Sequence, residues 1–529
     1  MSGESRRHSR LIAIFASGTL FSRVLGMVRD MVWVTVPLAS RETFLFAFQL
    51  PNMLRDMIGE GATNAAIIPV LAESREEDSE EEFKSLISAS MSAMLVVLGV
   101  ITALGVAILP YILPPGLAWF RRFSVGEAFD PERANEVVFI ACWTFPYLFM
   151  IGMAAYMMGP LFTLRRYAVP SWAPALLNAA FIVTALGFQD RFADPAHALV
   201  LGAWLGGMAQ LIVHYIALGR ASGVWWPNFR IGHPRVRTML FLLLPVIAGQ
   251  SAGEINKLVN ALFAMGLEEG TVNALFYANR LIQLPLSVFG VAVSVAILPS
   301  IAQSAARGRN DEILATLAYG LRQSFFLVVP AMVGLAVLGE PIVRLLFERG
   351  HNTPADTAMT YTATVYYGAG LLSFAWLKVI VSGFYAVKDT RTPVIIATIC
   401  VLANVAMNFV LVGPMGYRGL ALSTTVAYTL NFALLLVFAS QRFGVLVNAG
   451  LLRALMRMAL ATAVMGLSAY GIYWCAIAGF PGTSLIAQLL QVFLPLLTAV
   501  AVYFGAGYAL NIPECREFLV ALRRRMPVE

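Results

Sequence analysis

Met91-Ser-Ala-Met-Leu-Val-Val-Leu-Gly-Val-Ile-Thr-Ala-Leu-Gly-Val-Ala-Ile-Leu-Pro-Tyr-Ile-Leu113 runs 23 residues without a charged side chain. At about 1.5 Å rise per residue, a helix of that length crosses the roughly 30 Å hydrocarbon core of a bilayer. Windows of this kind recur from Leu11 to Leu510. Of the 529 residues 59% are hydrophobic and 13% charged, and mean hydropathy is +0.74. A soluble domain carries about twice that charge, so lipid is the main solvent and the fold class is all-α, polytopic and membrane-embedded.

Breaking the chain at polar, Pro and Gly punctuation gives fourteen expected spans. They fall near 11–36, 44–72, 85–114, 135–160, 170–188, 197–219, 239–265, 272–302, 318–347, 358–386, 393–413, 418–440, 453–477 and 484–510. With the N-terminus inside, the cytoplasmic connections collect Arg165, Arg166, Arg220, Arg230, Arg235, Arg237, Arg307, Arg309, Lys388, Arg391 and Arg442. The opposite loops hold fewer, among them Arg41, Arg121, Arg122 and Arg133, so the positive-inside bias puts both termini in the cytoplasm. The acidic stretch from Glu73 to Lys84 disagrees, but acidic residues steer orientation weakly. The net charge of +7 is dispersed among short loops, which argues against a nucleic-acid partner. The opening Arg6-Arg7 lacks the clean apolar run of an export signal. The four cysteines and five histidines match no disulfide framework or metal motif, so no cofactor is expected.

The chain also echoes itself. Ala66-Ile-Ile-Pro-Val-Leu-Ala-Glu-Ser74 is matched by Ala296-Ile-Leu-Pro-Ser-Ile-Ala-Gln-Ser304, and the basic turn Arg165-Arg166 before Pro170 by Lys388 to Arg391 before Pro393. Equivalent helices six spans apart point the same way, which implies two six-helix lobes in parallel pseudo-twofold repeat. The expected division is 1–219 for helices 1 to 6, 220–440 for helices 7 to 12, and 441–529 for two additional helices and a basic tail.

Charges then stand where the apolar pattern should exclude them: Arg23, Arg29 and Asp30 in span one, Arg55, Asp56 and Glu60 in span two, Glu254 and Lys257 in span seven, and Arg280 in span eight. Each costs about 2.5 to 3.5 kcal/mol at the bilayer centre unless it finds a partner or a hydrated cavity. Snorkelling or packing ion pairs account for individual residues, whereas the set as a whole points to a water-filled cavity faced by both lobes. Arg23 and Arg29, six residues apart, are expected on broadly one side of their helix. Guanidinium groups match the oxygens of phosphate, so the cavity predicts an anionic substrate. Pro51 and Asn52, with Gly59, Gly61 and Pro69, predict a kink or hinge in span two.

Several motifs together closely resemble the MurJ (MviN) family of bacterial lipid II flippases, in the multidrug/oligosaccharidyl-lipid/polysaccharide exporter superfamily, over nearly the whole chain. They are Ser22-Arg-Val-Leu-Gly-Met-Val-Arg-Asp30, Leu50-Pro-Asn-Met-Leu-Arg55 with Glu60-Gly-Ala62, Tyr277-Ala-Asn-Arg280 with Leu284-Pro285, Leu346-Phe-Glu-Arg-Gly350, and Phe384-Tyr-Ala-Val-Lys-Asp-Thr-Arg-Thr-Pro393. The resemblance implies a transporter and not an enzyme, with fourteen helices, a cationic cavity, and two final helices forming a groove for a lipid tail. It implies lipid II as substrate, membrane lipids and cell-wall synthesis proteins as partners, and residence in the bacterial inner membrane. By motif position it makes Arg23, Arg29, Arg55 and Arg280 substrate-binding residues, and Asp30, Glu42, Asn52 and Glu60 gate or coupling residues. Glu42 stands where the family often has Asp, and Asn279 where it often has Asp before the arginine.

The expected mechanism is alternating access: arginines capture the diphosphate inside, and the headgroup leaves outside while the polyprenyl tail stays in lipid. Membrane potential, at about 2.3 kcal/mol per charge per 100 mV, and a coupled ion are both open as energy sources. A drug or cation antiporter would favour an acidic cavity. A glycosyltransferase or polymerase would need a catalytic constellation, and the outer segment 115–132 offers only Glu127 and Asp130. A membrane scaffold leaves the internal charges unexplained.

Overall fold

A computed structural model describes residues 3–58, 67–127, 129–230 and 232–525. In chain order its helices are α1 (Gly3–Trp33), α2 (Leu38–Ile58), α3 (Ile68–Glu77), α4 (Glu80–Val125), α5 (Pro131–Thr144), α6 (Tyr147–Thr163), α7 (Ala168–Trp172), α8 (Pro174–Phe188), α9 (Ala196–Ser222), α10 (Pro234–Met265) and α11 (Thr271–Pro285). A π-helical turn, Leu286–Val291, leads to α12 (Ala292–Ala306). Then follow α13 (Asn310–Phe347), α14 (Pro354–Gly368), α15 (Leu371–Ala386), α16 (Arg391–Met415), α17 (Tyr417–Phe443), α18 (Ala449–Gly479), α19 (Leu485–Ala509) and α20 (Pro513–Arg525). The all-α, membrane-embedded fold class expected from the apolar windows is the one observed.

Among the described residues, eleven segments are long and apolar enough to cross a membrane. Three more helices, α1, α2 and α10, are 31, 21 and 32 residues long, and they carry most of the misplaced charges. The apolar segments turn hydrophobic side chains outward: Tyr111 of α4, Val410 of α16 and Leu467 of α18 are each at least 70% exposed. Side chains of that kind need lipid around them.

Proline did not mark the helix ends as expected. Pro114 and Pro115 close the expected third span, yet α4 runs through Pro110, Pro114 and Pro115 to Val125. A proline removes one helical donor, which a bilayer tolerates when the remaining ladder continues. The presumed outer loop 115–132 is therefore largely helix, and Arg121 and Arg122 lie on it. Arg121 donates to the carbonyls of Gly266 (3.0 Å) and Leu267 (2.8 Å), cations at the C-terminal end of α10. Likewise α2 starts at Leu38, so Arg41 is no loop residue: it is fully buried and donates to the Trp33 carbonyl at 3.1 Å. The second span, expected over 44–72, comprises α2 and α3, with Glu60, Gly59 and Gly61 outside the described residues.

Two compact units divide at Val272 and Asn273. In the first, Trp33, Phe44, Phe48, Tyr147 and Phe181 form a chain of edge-on and stacked rings that ties α1 and α2 to α6 and α8. In the second, Ile301, Leu317, Ile380, Phe384 and Leu435 form one core, and Phe326, Met465 and Tyr503 join α13 to α18 and α19 in another.

The echo between the basic turns extends to atomic detail. Pro131–Thr163 and Pro354–Ala386 are both 33 residues long, and each is interrupted once, at Phe145-Pro146 and at Ala369-Gly370. Asp130 caps the first and Thr353 the second. After each, one residue turns left-handed: Arg165 at φ 58° and Lys388 at φ 62°. The next N–H then reaches back five residues, Arg166 to the Leu161 carbonyl at 2.8 Å and Asp389 to that of Phe384 at 3.0 Å. This is the Schellman ending, built twice on non-glycine residues at about 1 kcal/mol each.

Candidate substrate-handling site

From Leu11 onward helix α1 reads as an ordinary apolar span except at Arg23, Arg29 and Asp30, and the structure treats these charges differently. Arg29 is 7% exposed and Asp30 fully buried. The Arg29 Nη2 and Nε donate to Asp30 Oδ1 at 2.6 and 3.0 Å, and Nη1 donates to Asn178 Oδ1 at 3.1 Å. The guanidinium carbon stands 4.4 Å from the centre of the Trp33 ring. Asn178 in turn donates to the Ser22 carbonyl at 3.0 Å, stitching α8 to α1. Burying an ion pair is tolerable because every charge here has a close partner.

Arg23, by contrast, is exposed and has no ion pair among the described residues. The expectation that Arg23 and Arg29 share one side is corrected: six residues at about 100° each leave the two side chains about 120° apart. One faces the core and the other faces out. Arg29 is thus already committed in this structure, whereas Arg23 is exposed.

A second group of charges joins α2 to α10. Arg55 Nη2 contacts Asp56 Oδ1 at 2.7 Å, Asp56 Oδ2 lies 4.0 Å from Lys257 Nζ, and Lys257 donates to Glu254 Oε1 at 2.6 Å. The Gln49 amide donates to the Lys257 carbonyl at 3.0 Å and fixes the register. Arg55 and Asp56 keep about a third of their side-chain surface exposed and Lys257 over half, while Glu254 keeps 12%. The alternating signs cancel, so this chain of four is electrically neutral and not a net cationic patch. On the same two helices, Asn52 Oδ1 and Asn256 Oδ1 are buried acceptors without a donor among the described residues.

Glu42, in the first turns of α2, is 1% exposed. One oxygen accepts the Val272 backbone N–H at 2.9 Å in the first turn of α11, and the other lies 3.3 Å from Arg133 Nη2 at the start of α5. A carboxylate at a helix N-terminus also meets the positive end of the helix dipole. Neither Arg133 nor Asn178 was singled out as a functional position by the sequence, because both act through partners more than 90 residues away. No local spacing carries that signal.

Arg280 belongs to the second unit, on α11, partly exposed, with its guanidinium carbon 5.9 Å from the Phe276 ring. Asn279 beside it is exposed and accepts from Gln283 at 3.5 Å. Glu60 lies outside the described residues. Among the described residues there is no group of three or more His, Cys, Asp or Glu able to hold a metal ion.

Three carboxylates of the acidic stretch that opposed the orientation rule share a basic partner from elsewhere in the chain. Arg235, at the start of α10, contacts Glu73 at 3.4 Å, Glu77 at 3.2 Å and Asp78 at 3.0 Å. Arg75 donates to the Thr163 carbonyl at the end of α6.

Residues 39–490 match the family model described as "Lipid II flippase MurJ". The chain is 34% identical over 439 residues to the "Probable lipid II flippase MurJ" of Vibrio cholerae, covering 82% of each. It is 32% identical over 506 residues to the protein of that name from Bdellovibrio bacteriovorus, covering 95% of this chain and 94% of the relative. Among solved structures it is similar to "Lipid II flippase MurJ, inward closed conformation", at TM-score 0.75 and 22% identity over 94% of this chain and all of that one. A multidrug resistance MATE family transporter in an inward-facing conformation matches at TM-score 0.62 and 17% identity, covering 80% of this chain and 95% of its own. These two likenesses speak for the fold.

Proposed function

This chain belongs to the MurJ family of lipid II flippases, and from that premise we propose that it carries lipid II from the cytoplasmic to the outer leaflet by alternating access through a cationic cavity. It is a transporter and not an enzyme. The observation that carries the site reading is the contrast within α1. Arg29 has its charge cancelled by Asp30, and Arg23 presents a guanidinium with no ion pair among the described residues. A free guanidinium is suited to the diphosphate, whose oxygens accept the planar fork.

In this reading Arg23, Arg55 and Arg280 handle the diphosphate, and Arg55 exchanges Asp56 for substrate oxygen as the chain of charges to Lys257 and Glu254 rearranges. Arg29 and Asp30 keep α1 on α8, and Arg29 reaches substrate only in a state where that pair opens. Glu42, Asn52 and Glu60 act in gating. The lobes are 1–219 and 220–440, with 441–529 added, and both termini lie in the cytoplasm of a bacterial inner membrane. Passage of a large polar headgroup is otherwise blocked by the cost of dehydrating it in hydrocarbon, which a hydrated cationic path offsets. Membrane potential or a coupled ion resets the carrier, and cell-wall synthesis proteins supply and consume the substrate.

The test is reconstitution with labelled lipid II, reading headgroup accessibility on both faces of the vesicle. Arg23→Ala and Arg280→Ala are expected to slow translocation at least about tenfold, the loss of one strong charge-assisted contact. Wild-type rates in both variants would remove these arginines from the site.

A further inference from the structure

The second unit contains a cavity of about 250 Å³ whose wall includes Arg322 from α13, Gly450, Arg453 and Arg457 from α18, and Pro513 and Glu514 from the start of α20. Arg453 and Arg457 are one turn apart, both exposed, and neither has an ion pair among the described residues. They rise from the second and third turns of α18, whose first turn is capped by Asn448, accepting the Leu451 N–H at 2.8 Å. Opposite stands Glu514, its side chain 1% exposed and one oxygen paired with Arg322. Its other oxygen, Oε2, is buried with no donor among the described residues. Three guanidinium groups against one carboxylate leave an excess of two positive charges together with one unmet acceptor.

We propose that this cavity binds the headgroup of a membrane phospholipid, with the phosphodiester on Arg453 and Arg457 and a second group, a hydroxyl or ammonium, donating to Glu514 Oε2. The charge excess calls for an anion. The orphaned carboxylate oxygen calls for a donor on the same ligand, because a buried acceptor left unmet is unfavourable. A lipid is the source that the surroundings fit. Leu452, Met456, Leu460 and Leu467, each more than half exposed, continue from the arginines along α18 as a surface for acyl chains. Phe518 and Val520 of α20 are also exposed, so this short helix offers apolar side chains beside the basic ones, as interfacial helices do. In the orientation proposed above, the site faces the cytoplasmic leaflet. It lies in a different part of the chain from the arginines assigned to lipid II.

The experiment uses the full chain purified in detergent, with bound lipid counted by native mass spectrometry. The probes are dioctanoyl phosphatidylglycerol, dioctanoyl phosphatidylcholine, which lacks a donor, and inorganic phosphate. Wild type is expected to retain phosphatidylglycerol over phosphatidylcholine, and Arg453→Gln/Arg457→Gln to lose about tenfold in phosphatidylglycerol affinity. Both arginines are exposed, so the double variant is expected to elute as a monodisperse peak. The single variant Arg457→Gln supplies the same reading should it not. Glu514→Gln is expected to shrink the preference for phosphatidylglycerol over phosphatidylcholine. Undiminished phosphatidylglycerol binding in the double and single arginine variants overturns the site. Equal retention of the two lipids by wild type overturns the role of Glu514, and displacement of phosphatidylglycerol by millimolar inorganic phosphate overturns the lipid as source.

Discussion

Glu42 accepts the backbone N–H of Val272 at 2.9 Å, closing a separation of 230 residues within the first compact unit. Its other oxygen meets Arg133, so one buried carboxylate ties the start of α2 to the starts of α5 and α11. Helix α11 is the element that runs on to Arg280. A change in how Glu42 is held is therefore a change in where α11 begins.

Glu42→Ala is expected to lower stability by about 2 kcal/mol, because it leaves a buried N–H and a partly buried guanidinium without their acceptor. Glu42→Gln, which keeps an acceptor but no charge, should cost less than half of that. Thermal unfolding in detergent checks both. Equal midpoints for Glu42→Ala and wild type would show that the carboxylate is dispensable to the fold.

The Arg29 and Asp30 pair is best tested by a double-mutant cycle. Asp30→Ala alone strands a buried guanidinium, at about 3 kcal/mol, and Arg29→Met alone strands a buried carboxylate at a similar cost. The double variant should be less damaged than the sum by about 2 kcal/mol. Additive losses would mean that the two charges do not share an interaction.

Arg235 holds Glu73 and Glu77 of α3 and Asp78 of the turn that follows, so its removal should loosen the end of α3 and that turn. Cleavage by a glutamate-specific protease near Glu76 and Glu77 is expected to rise severalfold in Arg235→Ala, and more weakly in wild type at about 1 M salt, where surface pairs are screened. In inverted membrane vesicles the site should be cut, and in right-side-out vesicles protected. Cutting in right-side-out vesicles alone would reverse the proposed orientation.

Asp389 lies in the turn between α15 and α16, outside the spans. The Thr392 backbone N–H that it accepts, followed by the Thr392 hydroxyl and Arg442, holds its carboxyl below the usual aspartate range against the opposing effect of burial. A depressed carboxylate stabilises the fold above the ordinary value of about 3.9 and loses that contribution as pH falls through its lower folded value. The melting gap between wild type and Asp389→Asn should thus be constant above about pH 5 and close below about pH 4. A gap independent of pH would assign the effect to shape and not charge.

Apolar length made most helices legible, and the turns at Arg165 and Lys388 were legible as an echo because their hydrogen bonds are local. What the chain hid was of two kinds. Pro114 and Pro115 resemble punctuation, but a proline inside a lipid-facing helix loses one hydrogen bond and need not end it. Arg29 and Arg23 look alike in sequence, and only the positions of Asn178 and Trp33 on the folded chain decide that one is buried and the other open. Arg41, read as a loop charge, was misplaced because its acceptor is a carbonyl at the end of the preceding helix.

The partners of α2 set a condition on biogenesis. Arg41, Glu42, Arg55 and Asp56 make it a poor candidate to leave an insertion channel alone. Apart from α1, the helices it packs on, α5, α6, α9 and α10, all emerge from the ribosome later. Its lateral release must wait for them, so a nascent chain halted before α10 would hold α2 as an unfinished guest, open to membrane quality control.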